Sequence, residues 1–140
     1  IFCLIVPFGS VGLVEVISRQ VLLRKNRLDL KMSEVTKFYT FVQNNSGGYW
    51  DGPARIVIVE AVDADHANSR AQSIAGVYFD GVADGRDCEC CGNRWESAWG
   101  DEGKDFPSLY SSPLEEARKN GWIAKGDVKI YYLDGSEEEF

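Results

Sequence analysis

Three of the four cysteines in this 140-residue chain, Cys88, Cys90 and Cys91, fall within four positions of the stretch DGRDCECCGNRW (84–95). Thiolates so closely spaced suit a soft metal, a dithiol couple or a packed loop. The step Cys88-x-x-Cys91-Gly92 has the form of half a zinc knuckle, in which the glycine lets the backbone turn tightly and amides face the sulfurs. Structural zinc takes four Cys or His ligands. Two come from the knuckle, Cys90 is the candidate third, and no second C-x-x-C exists. The fourth would have to be Asp80, Asp87, Glu96, Asp101, His66 or a group from a second copy of the chain. Zinc is therefore the candidate cofactor.

The alternatives are weighed on the same residues. A redox dithiol wants its thiolate near positive charge. Arg86 and Arg94 flank the cluster, but Asp87 and Glu89 oppose them, and no thioredoxin-like strand, motif and long helix is present. Reduced, partly buried cysteines acting as small hydrophobes are the plain reading. A disulfide framework fits poorly with an odd cluster of three.

No other residue set carries a catalytic pattern. The only histidine, His66, sits at the start of an expected helix, where a solvated role outweighs a catalytic one. Asp80, Asp84, Asp87, Asp101, Glu102 and Asp105 have the oxygen chemistry of a Ca²⁺ or Mg²⁺ site but match no EF-hand, and read as solubilising acids. GGYWDG lacks the Lys-Ser/Thr ending of a P-loop. The chain is not expected to be an enzyme; one that uses the Cys/acidic loop is the minor alternative. Tyr49, Trp50, Trp95 and Trp99 lie in loop-like segments, as core pillars or as an interaction patch, and are the candidate interaction residues.

The elements that must hold these residues are legible in part. KFYTFVQ (37–43) and RIVIVEA (55–61) read as strands around a turn-rich loop, NNSGGYWDGP (44–53). Asp63 reads as an N-cap, Ala64, Ala67, Ala71 and Ile74 recur at helical spacing, and Gly76 supplies a stop, predicting a helix over 63–75. Residues 77–79 are a possible short strand, and 81–110 show little regular structure, so something must tie them down; a metal would be one such tie. Ser112 as N-cap, Pro113 at the first helical position and Glu115 in a capping box predict a short helix over 113–120. VKIYYL (128–133) and SEEEF (136–140) flank an Asp134-Gly135 turn. The expected fold is α+β: a small antiparallel sheet, one main helix packed on it, a second short helix and a long Cys/Trp-rich loop.

Charge divides the chain. Residues 1–31 hold five basic against two acidic side chains, and the rest holds ten against twenty, within an overall net charge of −7. No nucleic-acid or anionic-membrane binding is expected from that balance. The only methionine, Met32, stands at the composition break. Residues 1–31 are expected to be an upstream-translated or disordered extension, ahead of a signal or anchor and ahead of an amphipathic helix with Val14, Ile17, Val21 and Leu22 on one face; residues 32–140 are expected to form one domain.

The runs KFYTFVQNNSGGYWDGP, VIVEAVDADHAN and GVYFDGVADGRDCECCGNRW resemble a group of small uncharacterised proteins of tailed bacteriophages. The resemblance covers about residues 36–140, and GGYWDGP and DCxCCGxRW are its most specific parts. It implies expression in the cytoplasm of a bacterial host, a reducing compartment, and implies no catalytic residues. Three functions follow: an accessory protein contacting a host or phage protein, homo-oligomers included; the same fold with a zinc at Cys88, Cys90 and Cys91; or the minor enzymatic alternative.

Overall fold

The computed structural model describes residues 16–26 and 36–140. The chain divides into two compact units, Ile1–Val35 and Thr36–Phe140. In the first, residues 16–26 form helix α1 with every side chain exposed, Val21 and Leu23 among them. Cys3, Val14 and the expected start at Met32 lie outside the described residues. Among the described residues no helix is long and apolar enough to cross a membrane.

The second unit is α+β, as expected. Its main sheet joins β1 (Lys37–Val42), β2 (Ile56–Ala61), β5 (Val128–Tyr131) and β6 (Glu137–Glu139) in the order β1-β2-β5-β6. β1 and β2 are antiparallel, with Tyr39 opposite Val59, and so are β5 and β6. β2 and β5 pair in parallel, Ile56 against Val128, so the sheet is mixed rather than antiparallel. The reason lies in β2 itself. Ile56, Val57, Ile58 and Val59 are all buried, which requires cover on both faces. Crossover connections between parallel strands supply that cover.

Alternate residues of the sheet feed two cores. Tyr39, Phe41, Val57, Val59 and Tyr131 pack against Ala64, Ala67, Ala71 and Ala75 of helix α2 (Ala64–Ala75) and against Trp95. Ile56, Ile58, Val128 and Ile130 pack against Leu109 and against Leu114 and Ala117 of helix α3 (Leu114–Lys119). The small side chains of α2 let it lie close to the strands. Its ends follow the sequence reading: Asp63 accepts from the His66 amide at 2.7 Å, and Gly76 takes the left-handed conformation at φ 65°.

Other expectations are corrected. Residues 77–79 form no strand; Val77 is buried, and Tyr78 and Phe79 pack against the first core. α3 has no capping box. Ser112 belongs to β4 (Ser112–Pro113), paired with β3 (Ser108–Leu109), which leaves Pro113 at the N-cap with no side chain to offer. Tyr110 and Ser111 close that hairpin with φ 49° and 67°, the left-handed pair that a two-residue hairpin turn demands.

Candidate metal centre

The NNSGG (44–48) and DCECCG (87–92) stretches pack on one another. NNSGG is the bed on which DCECCG turns. The Cys88 amide donates to Ser46 Oγ at 2.9 Å, and Asn44 Nδ2 donates to the Cys91 carbonyl at 2.6 Å. Within the turn, the amides of Cys91 and Gly92 both donate to the Cys88 carbonyl, at 3.1 and 3.0 Å. Gly92 closes it at φ 83°, a conformation that disfavours a side chain.

The turn brings three sulfurs together. Cys88 Sγ lies 2.6 Å from Cys90 Sγ, and Cys90 Sγ lies 3.6 Å from Cys91 Sγ. The three lie within 4.8 Å of one another, and among the described residues no other three His, Cys, Asp or Glu donors group so closely. Cys90 and Cys91 are exposed and Cys88 is half-buried, so packing as small hydrophobes does not account for the cluster. The Cys88 thiol is lowered by its hydrogen bond with Cys90 and by the amides of Cys90 and Cys91. Cys90 is pushed up to about 11 by its hydrogen bonds with Cys88 and Cys91. The cluster can hold a metal ion.

None of the proposed fourth ligands joins it. Asp87 is committed elsewhere, its Oδ1 accepting from the Tyr78 hydroxyl at 2.6 Å and its Oδ2 from the Arg94 amide at 2.7 Å. His66 turns back on the residues just ahead of its own helix, where Nδ1 accepts from the Val62 amide at 3.3 Å. Asp80, Glu96 and Asp101 stay outside the group.

An arginine is a main tie of the long loop, beside the bonds of Asn68 to Ala98 and of Phe38 to Lys104. Arg94 is 1% exposed. Its Nε donates to Tyr78 Oη at 3.0 Å, Nη1 to Gln43 Oε1 at 3.0 Å and to the Tyr49 carbonyl at 2.6 Å, and Nη2 to the Ser46 carbonyl at 2.6 Å. The Tyr49 ring caps the guanidinium at 4.4 Å. Burial opposes the charge on Arg94, but the hydrogen bond and charge interaction with Tyr78, followed by the charge interactions with Tyr49 and Asp87, outweigh it and raise the pKa. The Tyr78 hydroxyl is raised by burial and by its bond to Asp87. Sequence reasoning treated Arg94 as a charge flanking the thiols and missed this hub. The available signal was indirect: an irregular loop of this length leaves many carbonyls to satisfy, and a guanidinium brings five donors.

The aromatic candidates separate. Trp95 is 1% exposed and belongs to the first core, which removes it from any interaction surface. Tyr49, Trp50 and Trp99 are exposed, Trp99 most of all at 74%. A hollow of about 320 Å³ lined by Thr40, Glu102, Lys104, Ser108, Tyr110 and Ser111 contains no cysteine.

A search of the curated proteins and of the solved structures finds no match to the chain. The family model for DUF7296, a domain of unknown function, matches residues 36–140, the stretch that carries both the sheet and the thiol turn, and the chain belongs to that family.

Proposed function

We propose that this domain is a non-enzymatic binding module, of the phage-encoded accessory type suggested by its motifs, that presents a soft metal ion at Cys88, Cys90 and Cys91 on its surface. The observation that supports this reading is the convergence of three exposed or half-exposed sulfurs on a turn held by other residues. A purely structural knuckle would be the tie of its loop. Here Arg94, Asp87 and Trp95 do that work, which leaves the sulfurs available for binding. Zinc is the first metal to consider; with three thiolates from this chain it requires a fourth ligand from outside. For zinc, a protein partner or a second copy of this chain would supply it; an ion content with three thiolates would need none. Exposed Tyr49, Trp50 and Trp99 are apolar contacts for such a partner. A reducing cytoplasm is the compartment in which the thiols remain ligands.

Elemental analysis of protein purified without chelator or affinity metal tests the reading. One metal ion per chain, lost in the Cys88→Ser/Cys91→Ser variant, is expected. Half an ion per chain marks a site shared between two copies. A metal-free protein whose three thiols titrate freely, and which takes up no added soft metal, overturns it.

A further inference from the structure

Resting on the metal-binding reading, we infer that the site is closed by three sulfurs alone, and that the ion it fits best is monovalent copper in trigonal coordination, with Cys90 a full ligand. Three observations carry this. The donor set is entirely sulfur: no imidazole or carboxylate among the described residues joins the group. Thiolates without harder donors select soft ions. Among the described residues the grouped sulfurs number three. Structural zinc and iron–sulfur clusters call for four protein ligands, whereas a soft monovalent copper ion takes three thiolates. Finally, Cys90 lies between its neighbours. Its sulfur contacts both Cys88 Sγ and Cys91 Sγ, so an ion bound by the Cys88-x-x-Cys91 pair has the Cys90 sulfur within reach as well.

The separations fit a shared ion. Thiolates on one metal at a bond length of about 2.3 Å stand roughly 4 Å apart. Cys90 and Cys91 are near that spacing already, and Cys88 and Cys90 reach it by opening as the protons leave. The turn needs no folding to receive the ion, because Ser46 and Asn44 already hold its backbone. Binding exchanges one cuprous ion for up to three thiol protons, with no change in oxidation state.

The test is anaerobic titration of the full chain with cuprous ion against a chromophoric cuprous chelator, followed by X-ray absorption at the copper edge. One copper per chain with three sulfur neighbours is expected. The single variants Cys88→Ser, Cys90→Ser and Cys91→Ser are expected to lose affinity to a similar degree, with their folding checked by thermal unfolding. Two sulfur neighbours and an unaffected Cys90→Ser variant overturn the inference. So does a zinc ion held by four ligands that cuprous ion fails to displace, an outcome that leaves the metal-binding function standing. If neither zinc nor copper binds, both the inference and that function fall.

Discussion

Arg94 and Asp87 form an ion pair sealed from water: Arg94 Nε lies 3.6 Å from Asp87 Oδ1, and the two side chains are 1% and 0% exposed. A buried pair contributes little net stability by itself, because desolvation offsets the Coulombic gain. Its effect is to specify one conformation. Each partner also satisfies backbone groups, and those groups belong to the two loops that meet at the thiol turn.

Removing one partner leaves the other charged and unpaired in the core. Arg94→Met is expected to destabilise the domain by about 3–5 kcal/mol in chemical denaturation. Arg94→Lys is not expected to rescue it, because an ammonium does not reproduce the planar fork that reaches Tyr78, Gln43, Tyr49 and Ser46 together.

Gly81 leaves the space that Asp87 fills. A Cβ at position 81 would lie 1.9 Å from Asp87 Oδ2 and 2.7 Å from Tyr78 Cε2. Gly81→Ala is therefore expected to displace the carboxylate from Arg94, at a cost of about 1–3 kcal/mol by overpacking. Gly85→Ala meets no neighbour within 4 Å but carries φ 74°, and is the control for backbone strain alone.

The two tryptophans four residues apart are expected to behave oppositely. Trp95→Ala removes a buried indole and is expected to cost about 3–5 kcal/mol. Trp99→Ala removes a mostly exposed one and is expected to stay within about 0.5 kcal/mol in the same thermal measurement.

The thiols differ in acidity, and the sign can be read in labelling. Cys88, lowered, holds more thiolate near neutral pH than Cys90, which is pushed up to about 11. The thiolate is the nucleophile. Iodoacetamide followed by peptide mass spectrometry is expected to modify Cys88 ahead of Cys90 near pH 7, with Cys90 joining as the pH approaches its own range. Because binding releases thiol protons, metal affinity is expected to rise with pH and to fall as acid reprotonates Cys88 last. Faster labelling of Cys90 at neutral pH would contradict this order.

Local patterns were legible in the sequence where one residue sets one geometry. Asp63 and Gly76 bound α2, the apolar runs of β1 and β2 read as strands, and the spacing of Cys88, Cys90 and Cys91 placed three sulfurs within reach of one another. Features set by distant partners were not legible. The parallel pairing of β2 with β5 depends on what crosses the sheet between Ala61 and Val128. Ser112 looks like a cap until Leu109 pairs with it. Arg94 reads as a surface charge because its acceptors, the carbonyls of Ser46 and Tyr49, lie more than forty residues back in the chain. Trp95 and Trp99 sit in irregular backbone, where no period distinguishes inside from outside.

The most direct test of the central claim compares unfolding of the metal-free protein with that of the Cys88→Ser/Cys90→Ser/Cys91→Ser variant, alongside the metal content of each as purified. The expected result is metal in the wild type and none in the variant, with both metal-free forms unfolding cooperatively at midpoints within about 4 °C, or roughly 1 kcal/mol. That outcome makes the sulfurs a binding site mounted on a fold held by Arg94 and Asp87. Loss of the folded state whenever metal is withdrawn or the thiols are removed would contradict it, and would make the cysteine turn the tie of its own loop.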